Sequence, residues 1–317
     1  MKFAVYGFFF EQAFSFSGFN FSPKKYHLPF WDEVKVSKDK WHYNLTGYIE
    51  TNETDENEFI FYMQPVLTFA QQQDVIIKLV KDESCISDSY EADFERRGDG
   101  APFSMYFDIQ KEIVEKLYLK LIDKKDLCNM RGSSVFESEH NSEFLSLIYK
   151  VTEPFHMRRP CIEITYFLYF SGLEVFCKQF LKSYYPDIKI EKNAGRNIAQ
   201  MLEKLSINYI QLYTADMDYN LKKKEFSKED FLRLSLSTYS NLRNKLFHEN
   251  LFVAKTESSN IKDNNGKYPK SEVRITDYEY YLQRLCNVVI LKYIGIQNVE
   301  LDCLKWHTRF PLIKKRN

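Results

Sequence analysis

The stretch KEIVEKLYLKLIDKK, residues 111–125, marks the point where the pattern of the chain changes. Its apolar residues Ile113, Leu117 and Leu121 recur every four positions, which predicts an amphipathic helix. Before it, short aromatic and β-branched runs alternate with polar tracts, and beyond about residue 142 apolar residues follow helical spacing. The sequence therefore predicts an α+β protein with a β-rich N-terminal domain, residues 1–140, and an all-α helical-bundle C-terminal domain, residues 141–317.

Four runs in the first region have the composition of strands. They are Lys2–Phe10, Trp41–Glu50, Glu58–Val66 and Asp74–Val80. A further aromatic series alternates along the chain in a way that fits one buried face of a sheet. It consists of Phe14, Phe16, Phe19 and Phe21.

Four segments of the second region are predicted to be helices. They are Pro160–Tyr185, Asn197–Leu205, Ser227–Glu249 and Asp277–Ile296. The third begins with Ser227 and carries Asp230 three residues later, the spacing of a capping box. Between the last two helices, residues 256–273 are predicted to be a polar linker.

Composition excludes several classes of protein. Hydrophobic residues make up 44% of the 317 residues, so a substantial core can form, and no uncharged apolar run is long enough to cross a membrane. The six cysteines stand singly, which is typical of reduced, buried thiols, and we expect a cytoplasmic location. No phosphate-binding Gly-rich motif or HExxH motif occurs, so we expect neither a cofactor nor a metal.

The overall net charge of zero hides an asymmetry between the two halves. Residues 1–150 carry 17 basic and 25 acidic side chains, a net charge of −8, so the remaining residues carry +8. The second half is therefore the better candidate for binding a polyanion.

The segment YSNLRNKLFHEN, residues 239–250, contains the candidate site. On a helix, Arg243 falls on an otherwise apolar stripe formed by Leu232, Leu236, Tyr239 and Leu246. A guanidinium on a packing face needs a partner or a ligand, because burying an unpaired charge is costly.

An earlier helix offers a matching charge, since Glu174 lies on its apolar stripe of Phe167, Phe170, Cys177 and Leu181. One hypothesis is that Glu174 pairs with Arg243 between the helices. The alternative is a local pair of Glu174 with Lys178, four residues on.

Two further polar residues follow Arg243 on the same helix. Asn244 and His248 are four residues apart and share a face, whereas Arg243 and His248 are five apart, about 140° around a regular helix. Arg243 and His248 of one molecule therefore converge only if the helix distorts near its end or if two copies face each other.

The spacing Arg243-Asn244-xxx-His248 resembles the RNxxxH form of the Rx4–6H motif of HEPN domains, and residues 145–300 resemble their helical setting. The layout as a whole is similar to Apea-like abortive-infection proteins. This resemblance implies a metal-independent endoribonuclease, acting in anti-phage defence or as a toxin.

Specific roles follow from the resemblance. It implies that Arg243, Asn244, His248 and Glu174 form the catalytic site, completed by homodimerisation through the helical domain. His248 would move the proton of the RNA 2′-OH, and Arg243 would hold the phosphate. The substrate would be RNA, either tRNA or mRNA, and not DNA, which lacks the 2′-OH.

Two other functions stay open. One is a catalytically silent HEPN module that binds RNA or protein and dimerises. The other is a subunit in which Arg243 and Glu174 serve only the specificity of packing. Some HEPN toxins carry a Tyr, modified by a partner nucleotidyltransferase, two residues after the His. Asn250 occupies that position here, so control by that route is not expected.

Overall fold

The computed structural model describes residues 1–10, 12–24, 41–92, 107–122, 142–156, 161–207, 227–259 and 261–296. Over these ranges the chain combines helices with antiparallel sheet, so the mixed α+β class predicted from the sequence is confirmed. Two compact units can be distinguished. The first contains Met1–Ile122 together with Thr152–Pro160, and most of the second comes from Cys161 onward.

The first unit contains an antiparallel sheet and two helices. Its elements are β1 (Lys2–Tyr6), β2 (Phe14–Phe16), β3 (Phe19–Pro23), β4 (Trp41–Thr51), α1 (Glu56–Gln71), β5 (Ile76–Leu79), β6 (Ser89–Ala92) and α2 (Phe107–Leu121). The strand order is β2-β3-β4-β1-β5, and β6 pairs with β4. Three of the four predicted strands are present, as β1, β4 and β5. The helix predicted from residue 111 is present as α2. The bounds of these elements differ somewhat from the predicted ones.

Aromatic side chains form the core of this unit. The predicted alternating series is confirmed, because Phe14, Phe16, Phe19 and Phe21 are all buried while the residues between them in β2 and β3 are not. Phe14 stacks on Phe21 across the strand pair, with ring centroids 4.2 Å apart. This sheet face therefore serves packing and leaves no row of exposed rings for nucleic acid.

The strand predicted over Glu58–Val66 is wrong, because these residues belong to helix α1. Asp55 caps the helix, its side chain accepting hydrogen bonds from the backbone N–H groups of Asn57 and Glu58. The apolar residues also repeat at helical spacing, with Phe59, Met63 and Val66 all buried. The high strand propensity of the run FIFY concealed this period.

The second unit is mainly helical and also contains a hairpin. Its elements are α3 (Ser142–His156, whose last residues group with the first unit), α4 (Ile162–Tyr184), α5 (Ala194–Lys204), α6 (Lys228–Phe231), α7 (Ser237–Glu249), β7 (Val253–Glu257), β8 (Lys270–Arg274) and α8 (Ile275–Tyr293). The predicted capping box is confirmed, since Ser227 and Asp230 exchange both of its hydrogen bonds.

Residues 256–273 were predicted as a linker in an all-α domain, and this is wrong in part. The ends of that segment pair as the antiparallel strands β7 and β8. Arg233 fixes the hairpin to the helical layer by hydrogen bonds to the Glu257 carboxylate and the Ser259 carbonyl, both 2.9 Å long. Its guanidinium also stacks over the Tyr268 ring at 3.5 Å.

The expectations about membrane-spanning segments and about the cysteines can both be compared with the structure. Among the described helices, none is long and apolar enough to cross a membrane. The cysteines are only partly as expected. Cys177 and Cys286 are buried, which raises the pKa of both thiols, whereas Cys85 and Cys161 are exposed.

Candidate functional site

The ion pair proposed between two helices is present. The Arg243 Nη2 of α7 donates to the Glu174 Oε2 of α4 at 2.7 Å. The two side chains are 24% and 19% exposed, so the pair lies at the edge of the helix contact and not in its centre. The apolar stripes predicted for both helices thus bring their charges together.

The alternative pairing is present as well, because the second oxygen of Glu174 accepts a hydrogen bond from Lys178 Nζ at 2.8 Å. Burial raises the pKa of the Glu174 carboxyl, but the Lys178 hydrogen bond and the Arg243 charge together more than offset this and lower it below its ordinary value. Glu174 is thus held ionised between two cations, and the trio keeps a net charge of +1.

The remaining donors of Arg243 are not used by the described part of the chain. Glu174 is its only side-chain hydrogen-bond acceptor there, and the guanidinium carbon lies 5.2 Å from the Phe170 ring centroid. A guanidinium has five N–H donors in a planar fork. One edge of the fork is therefore oriented by Glu174, and other donors can bind a phosphate or carboxylate.

Asn244 and His248 lie on a different side of α7 from this ion pair, and both are exposed. Helix α7 is regular from Ser237 to Glu249, so the 140° separation of Arg243 and His248 is not removed by distortion. Of the two ways in which these residues could act together, only the approach of a second copy is left.

The helix that carries the motif is anchored at its start. The buried Tyr166 of α4 donates its hydroxyl hydrogen to the Tyr239 carbonyl oxygen at 3.0 Å, one turn before Arg243. Burial raises the pKa of Tyr166 far above its ordinary range, so the phenol stays a hydrogen-bond donor. Just before this point, Leu232–Leu236 form a π-helical segment, a feature often found near functional sites.

The helix ends at Glu249, one residue beyond His248, and Asn250 caps it. Asn250 adopts the left-handed conformation, with φ 51° and ψ 37°. Its N–H donates to the Leu246 carbonyl at 3.1 Å, the single bond of a left-handed cap, and the Leu251 N–H donates to the Lys245 carbonyl at 3.1 Å. Asn is well suited to this conformation, so Asn250 has a structural role at the position where some HEPN toxins carry Tyr.

Phe247 is a neighbour of the site that sequence reasoning did not single out. It is 63% exposed, stacks on Phe167 of α4 and contacts the His248 ring. Its position four residues after Arg243 was the signal that could have identified it. No three His, Cys, Asp or Glu side chains of the described residues are grouped so that they could hold a metal ion.

Comparisons of the chain with protein-family models, with curated proteins and with solved structures find no match. The resemblance to HEPN domains therefore rests on the motif and its helical setting.

Proposed function

We propose that this chain is a metal-independent endoribonuclease of the HEPN type, acting as a toxin or an anti-phage defence effector. The observation that supports it most is the state of Arg243. It is partly exposed, is oriented by Glu174 between α4 and α7, and keeps donors for an anion on the same helix as the exposed His248, five residues away. A phosphate-binding group and a proton-transfer group are the two groups that cleavage of an RNA phosphodiester requires.

The reaction would use the nucleophile within the RNA itself. His248 accepts the proton of the 2′-OH, whose oxygen attacks the adjacent phosphorus, and the bond to the 5′-oxygen breaks as that oxygen takes up a proton from a second His248. Arg243 stabilises the charge that develops on the phosphate oxygens, and Asn244 orients His248 or a phosphate oxygen. The products are a 2′,3′-cyclic phosphate and a 5′-hydroxyl.

A homodimer supplies the second histidine. Because Arg243 and His248 point away from each other on one regular helix, a site that contains both needs two copies of α7.

The test is incubation of the purified chain with tRNA and mRNA in EDTA, with end-group analysis of the products. We expect cleavage by the wild type and by Glu249→Gln, a matched exposed variant next to the motif, and none by folded His248→Ala. Cleavage by His248→Ala at the wild-type rate, or a strict requirement for Mg²⁺, would contradict the mechanism.

A second candidate is a catalytically silent HEPN module that binds RNA or protein and dimerises. The observation that favours it is the tight engagement of Glu174 by both Arg243 and Lys178, which a purely structural network would also show. RNA binding in a gel shift, without any cleavage product, would support this candidate.

A further inference from the structure

Phe247 lies along α7 between Arg243 and His248, the phosphate-binding group and the proton-transfer group of the candidate site. It lies four residues after Arg243, on the same side of α7, and immediately before His248. Its ring is nearly parallel to that of Phe167, with centroids 5.7 Å apart and an angle of 9°. The His248 ring stands perpendicular to it, with centroids 5.3 Å apart.

The exposure of Phe247 is not that of a loosely attached surface residue. Its ring is stacked on α4 and its backbone lies in the regular helix α7, yet 63% of the residue is accessible to solvent. A flat apolar ring held in one orientation loses little conformational entropy when a ligand binds against it. Such a ring is therefore preorganised to stack on another flat group.

The chemistry around the ring indicates which flat group that is. Two polar side chains adjoin it on α7, namely Asn244 and His248, and the Arg243 guanidinium lies one turn earlier. An apolar partner would cover Asn244, His248 and the unused donors of Arg243 without bonding them, whereas a nucleotide offers a ring to the phenyl group and a phosphate to the Arg243 guanidinium.

We propose that Phe247 is a stacking platform for an unpaired base of the RNA next to the phosphate that is cleaved. This inference rests on the proposed ribonuclease function and adds the class of substrate. Bases in an A-form duplex are stacked on one another and present only their edges, so the platform selects unpaired RNA. Stacking on a phenyl ring also tolerates all four bases, so we expect weak sequence preference.

The experiment compares four full-length proteins: wild type, Phe247→Ala, Phe247→Leu and Phe247→Trp. Leu keeps apolar area without a flat ring, and Trp keeps the flat ring. Phe252→Ala is the matched control, because Phe252 is an exposed Phe at 46% that lies beyond the end of the helix. The substrates are one unpaired RNA, the same RNA in a duplex, and versions of it with a single abasic nucleotide beside the cleaved phosphate.

With unpaired RNA we expect Phe247→Ala and Phe247→Leu to raise KM by about tenfold or more, and Phe247→Trp and Phe252→Ala to stay close to wild type. Two substrates should be cleaved poorly by the wild type: the duplex RNA, and the unpaired RNA whose abasic nucleotide removes the base that would stack on Phe247. Phe247→Ala should cleave both as poorly as the wild type does.

Three results would overturn the inference. Wild-type rates for Phe247→Leu would show that apolar area is sufficient. Equal cleavage of duplex and unpaired RNA would contradict the inference that the substrate is unpaired RNA. A shift from dimer to monomer in sedimentation for Phe247→Ala, with activity restored by raising the protein concentration, would assign the ring to contact between copies. If the wild type cleaves no RNA at all, the proposed function itself fails, and this outcome is distinct from all three.

Discussion

Breaking the ion pair between Glu174 and Arg243 tests whether these residues join α4 to α7 strongly enough to orient the guanidinium. The perturbation is a double-mutant cycle with Glu174→Gln, Arg243→Met and the double variant. Gln and Met keep much of the side-chain volume, so the cycle isolates the charge interaction from packing.

The expected magnitude follows from the geometry. The N–O distance is 2.7 Å and both side chains are about four-fifths buried, so the attraction is screened less than at the surface. The loss of hydration of both charges offsets most of that attraction. We expect a coupling energy of about 1–2 kcal/mol, within the range for neighbouring side chains that interact directly.

Lys178 offers a control within the same structure. It contacts the same carboxylate four residues along α4, but its side chain is 41% exposed. The cycle of Glu174→Gln with Lys178→Met should therefore give only about 0.3–0.5 kcal/mol.

The assay is urea unfolding of the four proteins of each cycle at pH 7, repeated at lower pH. Because the folded-state pKa of Glu174 is lowered, its stabilising contribution is complete above its ordinary value of 4.5 and is lost as the pH falls through the lowered value. The coupling with Arg243 should therefore decrease as the pH falls below 4.5 and through the lowered pKa of Glu174. A coupling at pH 7 no larger than that of Lys178, or one that persists in acid, would refute the reasoning.

Two further predictions concern residues of the first unit, and the second of them takes its control from the second unit. His156 pairs with the buried Asp74; burial lowers its pKa, but the Asp74 contact raises it more, so the net shift is upward. The pair's contribution to stability should therefore be present below the ordinary histidine pKa of 6.5 and be lost as the pH rises through the raised value. Thermal unfolding should show this decline in the wild type and not in Asp74→Asn, and equal pH profiles would contradict it. Gly47→Ala should destabilise by about 3 kcal/mol, because a Cβ there would lie 2.6 Å from the Ser22 carbonyl oxygen. Gly266→Ala, which has open space but a φ of 73°, should cost about 1 kcal/mol in urea unfolding, and similar losses for both would refute the steric argument.

Much of the helical region was predictable from residue spacing. Helices α4, α5 and α8 were predicted with ends within a few residues, and so was the continuous helical run 228–249 that contains α6, a π-helical segment and α7, because their apolar residues repeat with the helical period. The pairing of Glu174 with Arg243 was predictable for a related reason. A charge on an apolar stripe is costly unless it finds a partner on the stripe that faces it.

Other features had no local signal. Helix α1 was predicted as a strand because its first residues have strand propensity, and the period becomes visible only over the full length to Gln71. The strands β7 and β8 are short, β8 is largely exposed, and Arg233 attaches them to the helices through Glu257, which lies 24 residues later in the sequence. The π-helical segment Leu232–Leu236 likewise leaves no trace in the residue pattern.

The sequence alone determined that helices α4 and α7 each carry one charge on an apolar face, since that depends only on the order of residues along a regular helix. It also determined the motif Arg243-Asn244-xxx-His248. Only the tertiary structure decided that Glu174 binds Lys178 as well as Arg243, that His248 stays exposed, and that Phe247 stacks on Phe167 beside it. These contacts depend on how two helices meet, and that geometry is set by side chains distant in the sequence.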